Sequence, residues 1–198
     1  MSFAYSEMDQ LILQRWNDVM GLIEAHREVQ DRIEEMIDAV GERVARWARP
    51  LGFETTVQRR DAEFLAWRPG WSDRRKGEKV VLVLGGFCPD GFRKVDERHP
   101  FQWVYIGNLA NFRCKEPERA IFSQALRAAL GDHARSWEAQ GVDEADYPLG
   151  RYLTSIRDAD RAQLISRPDA LFSFVTENFA PLFQIADVID AELVKLAK

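Results

Sequence analysis

A polar loop between two predicted strands carries the residue types that bind metals or transfer protons. Cys88, Asp96 and His99 all lie within residues 88–99. Thiolate, carboxylate and imidazole groups are the usual zinc ligands, and a histidine near a carboxylate can act as an acid–base pair. Their spacing matches no established metal motif, and the Pro-Asp-Gly that begins the loop is also ordinary turn chemistry. We therefore predict no metal site and no cofactor, and keep these three residues as candidate ligands only.

A second pair of candidate catalytic residues, Arg127 and His133, lies in the segment RAALGDH. An arginine followed a few residues later by a histidine resembles the active-site pattern of HEPN-type ribonucleases. That resemblance implies an RNA-cleaving enzyme in which these two side chains act. The family usually has a polar residue directly after the arginine, where this chain has Ala128. The other interpretation places His133 at an exposed helix end, near the negative end of the helix dipole.

Residues 59–79 combine positive charge with aromatic side chains. The segment holds seven basic and four acidic residues, with two tryptophans among them. Such a mixture can bind phosphates and stack on bases, or it can form an arginine- and tryptophan-rich protein contact. The alternative is a solvated loop with Trp67 in the core. We predict a protein-binding surface here, formed by the following residues: Trp71, Arg74, Arg75 and Lys76.

The sequence contains none of the common catalytic signatures. It has no phosphate-binding P-loop, no dinucleotide-binding glycine pattern and no Gly-x-Ser-x-Gly elbow. Glu78-Lys79 lacks the intervening residue that a metal-dependent nuclease strand requires. These absences favour binding over catalysis.

The elements that position these residues begin with a long helix over residues 7–48, which contain no proline. From Ile12 onward apolar residues recur in alternating steps of four and three, the heptad pattern of a coiled coil. Near the middle, His26 and Gln30 interrupt the apolar seam. A polar layer often sets the register of paired helices, so we predict a homodimer interface. It contains the following residues: Trp16, Ile23, His26, Gln30, Ile33 and Ile37. The alternative, left open, is that His26 and Gln30 lie where the helix leaves a sheet and meets water.

The rest of the chain predicts a sheet followed by helices. Strands are expected over 53–58, 63–68, 79–87 and 101–107, joined as an antiparallel meander because the connections are short. A short fifth strand fits within 147–156. Helices are expected from Pro117 to about Gln140, from Asp158 to Ile165, and from Ser166 to the end, with a kink or break at Pro181. The predicted fold class is therefore α+β: a long N-terminal helix, an antiparallel sheet of about four strands, and C-terminal helices.

Length and composition predict one ordinary globular domain of 198 residues, with helix over 1–48 and sheet plus helical tail over 49–198. The net charge of −5 argues against nucleic acid as the main partner, although the basic segment could contact it. Two cysteines cannot form a disulfide scaffold and indicate reduced thiols. The start lacks a signal-peptide pattern, and no apolar run could span a membrane. We expect a cytoplasmic protein with no membrane partner.

These observations lead to three hypotheses about function. The first is a non-enzymatic interaction or regulatory protein, such as an adaptor, inhibitor or immunity-type protein, that acts as a homodimer and binds another protein. The second is a nuclease that uses Arg127 and His133 or the 88–99 loop. The third is a small-molecule sensor that uses the sheet face near Trp103 and Tyr105, although aromatic surface of this kind more often belongs to a core.

Overall fold

The protein has the α+β architecture that the sequence predicts. The computed structural model describes residues 6–58, 62–71, 80–87, 101–106, 116–136, 149–153 and 158–196. The elements follow in this order: α1 Glu7–Gln14, α2 Trp16–Ala48, β1 Glu54–Gln58, β2 Glu63–Trp67, β3 Val80–Gly85, β4 Phe101–Ile106, α3 Glu116–Leu130, β5 Leu149–Tyr152, α4 Asp158–Ser166, α5 Pro168–Gln184 and α6 Ala186–Leu196. Short 3₁₀ turns cover Arg49–Leu51, Pro69–Trp71 and Gly131–Ser136.

The five strands form one antiparallel sheet in chain order, so the predicted meander is confirmed. The central ladder joins β3 to β4 from the Val80–Ile106 pair to the Gly85–Phe101 pair. All six residues of β3 are buried, as its apolar sequence on both faces requires. β5 pairs with β4 and adds the short fifth strand.

Helices cover one face of this sheet and enclose the core. α2 packs against β1, α5 against β3 and α3 against β5, while α6 packs against α3 and α5. The sheet positions beneath them alternate with a period of two, so every second side chain enters the core. These buried positions are Phe64, Ala66, Leu82, Leu84, Val104 and Leu149.

Three helices differ in detail from the prediction. The N-terminal helix is interrupted at Arg15, whose φ of −113° and ψ of 29° are not helical. α3 ends at Leu130, well before Gln140, because Gly131 adopts a positive φ of 54°, the usual conformation just past a helix end. α5 continues through Pro181 to Gln184. Proline removes one backbone donor, but here only in the last turn, and the buried Leu182 and Phe183 hold that turn in the core.

Candidate interaction surface

The C-terminal half of α2 is firmly attached to the body of the protein. Its buried residues are Ile33, Ile37, Val40, Val44 and Ala48. Arg43 adds a polar link, because its Nη1 donates to Asp169 Oδ1 of α5 at 2.8 Å. The same guanidinium lies 4.4 Å from the centre of the Phe172 ring, a favourable cation–π contact.

An aromatic cluster fixes the end of α2 against the start of the sheet. Phe183 of α5 stacks on Phe53 with ring centres 3.7 Å apart and on Trp47 at 5.0 Å. Phe53 in turn meets the edge of Trp71 at 5.8 Å. Since the cluster joins α2, the start of β1, the 69–71 turn and α5, the direction of α2 is set by the core.

The N-terminal half of the same helix does not contribute to that core. No residue of α1 is buried, and Ile33, which is 7 % exposed, is the first buried residue of α2. We refer to residues 7–32, which comprise α1 and the first part of α2, as the arm. At a rise of 1.5 Å per residue, the arm extends roughly 40 Å from the body.

The arm carries most of the exposed apolar surface of the described chain. Eight of the eleven large apolar side chains that this part of the protein exposes lie on the arm, with exposed fractions between 38 % and 71 %. They are Met8, Leu11, Leu13, Trp16, Met20, Leu22, Ile23 and Val29. Isolated apolar side chains are common at protein surfaces, whereas a concentration of this kind makes the arm a candidate interaction surface.

The exposed apolar face of the arm continues the buried face of α2. The heptad positions of Val19, Ile23 and Val29 lead directly to Ile33 and Ile37, which face the core. Most of the charged residues lie elsewhere on the helix surface. Two pairs of them form exposed salt bridges within the helix, between Arg15 and Asp18 at 3.4 Å and between Arg32 and Glu28 at 3.5 Å. Such pairs add only a few tenths of a kcal/mol each.

His26 and Gln30 lie just before the helix enters the core. His26 is exposed, Gln30 is half-buried, and the first buried residue follows at Ile33. This placement agrees with the alternative that the polar interruption marks the point where the helix leaves the sheet. Ile33 and Ile37, which were predicted in the homodimer interface, instead contribute to the core of their own chain. They leave little surface for a second copy, because the sheet and α5 already cover that face.

The outer end of the arm is closed by a capping box. The backbone N–H of Asp9 bonds to Ser6 Oγ at 3.2 Å, and the backbone N–H of Ser6 donates to Asp9 Oδ2 at 2.8 Å. Ser6 Oγ also donates to the same carboxylate at 2.7 Å. The hydrogen bonds from the Ser6 side chain and backbone lower the pKa of Asp9. The helix therefore has a defined start within the arm.

No family model, no characterised protein and no solved structure matches this chain.

Trp71, a predicted partner contact, belongs to the interior of the protein. It is 1 % exposed, and its Nε1 donates to Asp190 Oδ1 of α6 at 2.5 Å. The ring thus offers no surface that a partner could use, because Phe53 and the core enclose it. The other predicted contacts, Arg74, Arg75 and Lys76, lie outside the described residues.

Arg68 links the end of β2 to α6 through ion pairs with two aspartates. Its Nη1 donates to Asp187 Oδ1 at 2.6 Å and to Asp190 Oδ2 at 2.5 Å. Partial burial opposes the charge of Arg68, but the hydrogen bonds and negative charges of the two aspartates outweigh it and raise the pKa of the guanidinium. The sequence reveals that the aspartates share a helix face, but it gives no sign that Arg68 is their partner.

A second polar contact, which is partly buried, was not apparent from the sequence. Arg151 of β5 donates through Nη2 to Asn178 Oδ1 of α5 at 2.9 Å, and Asn178 Nδ2 donates to the carbonyl of Phe174 at 2.8 Å. Burial lowers the pKa of the Arg151 guanidinium. Asn178 thus links the sheet to α5.

The described structure includes only some of the remaining predicted site residues. Cys88, Asp96 and His99 lie outside the described residues. Arg127 occupies the last turn of α3, and His133 lies in the 3₁₀ turn that follows. In the strand register, Trp103 pairs with Val83 and Tyr105 with Val81. The enzyme and sensor hypotheses remain predictions.

Among the described residues there is neither a metal-binding cluster nor a membrane-spanning helix. These residues contain no group of three or more histidine, cysteine or acidic side chains that could hold a metal ion. No helix among them is both long enough and apolar enough to cross a membrane.

Proposed function

We propose that this protein is a non-enzymatic interaction or regulatory module, of the adaptor, inhibitor or immunity type, that acts as a homodimer through the arm. The observation that carries the proposal is the exposed apolar face of residues 7–32. Most helices in proteins depend on a packed apolar face for their stability. We therefore expect the arm to need a partner surface, which the described part of its own body does not supply.

The size of the apolar face suits a stable association. Full burial of a leucine, isoleucine or methionine side chain is worth about 1.5–3 kcal/mol. Eight side chains that are about half exposed would then contribute on the order of 6–12 kcal/mol for each chain. That amount is comparable with the roughly 4–15 kcal/mol that association costs in lost freedom, and two copies bury both faces at once.

The charge of the arm favours a protein partner over a polyanion. Residues 7–32 contain six acidic and three basic side chains. A nucleic acid or an anionic lipid surface would be repelled by this excess of negative charge. A second copy of the arm can bury the apolar face while the acidic side chains stay in water.

The test compares two double variants by native mass spectrometry and light scattering. Leu22→Glu with Ile23→Glu places charges on the apolar face of the arm. Ile121→Glu with Val194→Glu is the matched control, because these side chains are similarly exposed but lie on α3 and α6. We expect the unaltered protein and the control to be dimers, and the arm variant to bind itself at least about 100-fold more weakly, since charges cannot be buried unpaired.

Two results would overturn the proposal. One is a monomeric unaltered protein at micromolar concentration. The other is an arm variant that dimerises as tightly as the control. Arg74, Arg75 and Lys76 remain predicted contacts for a partner protein other than a second copy of this chain. Their variants are tested separately from variants of Trp71, because replacement of Trp71 perturbs the core.

A further inference from the structure

The way α2 joins the body restricts how two arms can pair, an inference that rests on the proposed homodimer. α2 is one continuous helix from Trp16 to Ala48 and contains no proline. The face that is exposed on the arm is covered by the protein's own body from Ile33 onward. A second helix can therefore follow this face only as far as about Arg32.

Parallel pairing conflicts with this arrangement. In a parallel pair, the second copy of α2 would run in the same direction along the shared face. It would continue past Ile33 into the space that the sheet and α5 occupy. Helices rarely bend sharply without a proline, a bulge or a similar cause. In an antiparallel pair, each α2 instead runs along the other arm toward that arm's N-terminal end and passes it before entering its own body. The two bodies then lie at opposite ends of the pair.

We infer that the two arms pair antiparallel, with their crossing centred on Gly21 of both copies. Within α2, seam positions meet in two kinds of layer, each occurring twice: Val19 faces Ile23 of the second copy, and Trp16 faces His26. Ile12 of α1, beyond the interruption at Arg15, lies at the level of Gln30. Leu22 meets its own equivalent beside the seam, as does Met20 on the other side.

The neighbouring alignments fit the structure less well. An alignment shifted by one heptad toward the body would set Trp16 against Ile33 of the second copy, which the core already buries. A shift toward the tip would place Gln30 opposite residues that precede the start of α1. The alignment centred on Gly21 uses the exposed apolar face from Ile12 to Gln30 and stops where the body begins.

Charge placement is compatible with this pairing. Between Ile12 and Gln30, no acidic residue occupies a seam position or a position beside the seam. Two positions beside it hold cations, Arg15 and Arg27, and these face Val29 and Leu13 of the second copy. The acidic residues point outward, where salt screens their repulsion.

This register also explains why the apolar seam contains His26 and Gln30. His26 faces the indole of Trp16, so two aromatic rings meet in that layer. Gln30 forms the outermost layer, which opens to water beside the body. Both polar residues thus occupy the ends of the seam, and the apolar layers form its centre.

Pulsed electron resonance on spin-labelled protein tests the direction of pairing. Single cysteines replace Ala25 or Arg32, which both lie on α2 outside the seam, in a background with Cys88→Ser and Cys114→Ser. Antiparallel pairing centred on Gly21 separates the two copies of Arg32 by about 22 residues, so labels there are about 33 Å apart along the axis. The same pairing sets Ala25 opposite Asn17 of the second copy, and these positions are about eight residues apart in one chain. Labels at the two copies of Ala25 are therefore about 12 Å apart along the axis.

Each result distinguishes this inference from the homodimer itself. A distance at Arg32 about 20 Å longer than at Ala25, in a protein of dimeric mass, is the expected outcome. A dimer with similar short distances at both sites is parallel and overturns the inference alone. A dimer in which neither site gives a distance below roughly 50 Å does not use the arm and overturns it as well. A monomeric mass overturns the proposed homodimer together with its register.

Discussion

Trp71 attaches the turn after β2 to the last helix by two kinds of interaction. Its ring packs edge-on against Phe53, and its N–H bonds to Asp190. Asp190 also accepts from Arg68, so one carboxylate joins the indole and the guanidinium. At this position a large aromatic ring and a polar group are both required, which is why tryptophan is suited to it.

Replacement of this indole tests whether Trp71 acts in the core. Trp71→Phe keeps a ring but removes the N–H donor and part of the volume. We expect the free energy of unfolding to fall by about 1–3 kcal/mol, measured by urea denaturation. Trp16→Phe is the matched control, measured where the chain is monomeric, and its exposed ring should change stability little. Equal stability of the two variants would contradict the interior role of Trp71.

At the scale of elements, the contact between α2 and β1 depends on a glycine. A methyl group on Gly41 would collide with Cγ2 of Val57. Valine has a stiff side chain, so it cannot easily turn away. Gly21 lies in the same helix, yet a methyl group there would meet nothing within 4 Å. The two glycines therefore lower the helix propensity by the same amount, but only Gly41 is required by packing.

Alanine at each glycine separates helix propensity from packing. Gly21→Ala should stabilise the protein by roughly 0.5–1 kcal/mol, because alanine loses less backbone entropy. Gly41→Ala should destabilise it by about 1–2 kcal/mol, since the overpacking cost exceeds the same gain. Thermal unfolding measures both. Val57→Ala combined with Gly41→Ala should recover part of the loss; no recovery would show that the collision does not cause it.

The sequence predicts the elements well because their signals are local. Alternating residues and short connections define the meander, and the 3.6-residue period defines the long helix. The end of α3 at Gly131 and the continuation of α5 through Pro181 depend on competing local and tertiary effects. The helix pattern alone could not decide either of them.

The candidate site was harder to predict because it depends on what covers each face. The apolar stripe of α2 looks the same on both sides of Ile33, but only one part has a sheet beneath it. Burial of Trp71 and the pairing of Arg68 with Asp187 and Asp190 join segments more than a hundred residues apart. No periodicity within either segment encodes such a contact.

At the scale of the whole molecule, the protein consists of a compact body and an extended arm with different stabilities. The body is held by a continuous core, which includes the stacked rings around Phe183. The arm has a capping box and two exposed salt bridges, but no buried side chain before Ile33. Local stability follows buried apolar contacts, so the arm should unfold separately from the body when it lacks a partner.

Dilution should therefore reduce helix content without unfolding the body. As dimers dissociate, we expect the far-ultraviolet circular dichroism to lose part of its helical signal. In protein with Trp16→Phe, which removes the tryptophan of the arm, the near-ultraviolet signal should stay constant, because Phe53, Trp71 and Phe183 belong to the body. The monomeric variant with Leu22→Glu and Ile23→Glu should show the reduced signal at every concentration. Association and helix formation are coupled by mass action, because the second copy binds only the folded arm and so increases its population. Helix content that stays constant through dissociation would mean that the arm is stable alone, and the need for a partner would lose its physical basis.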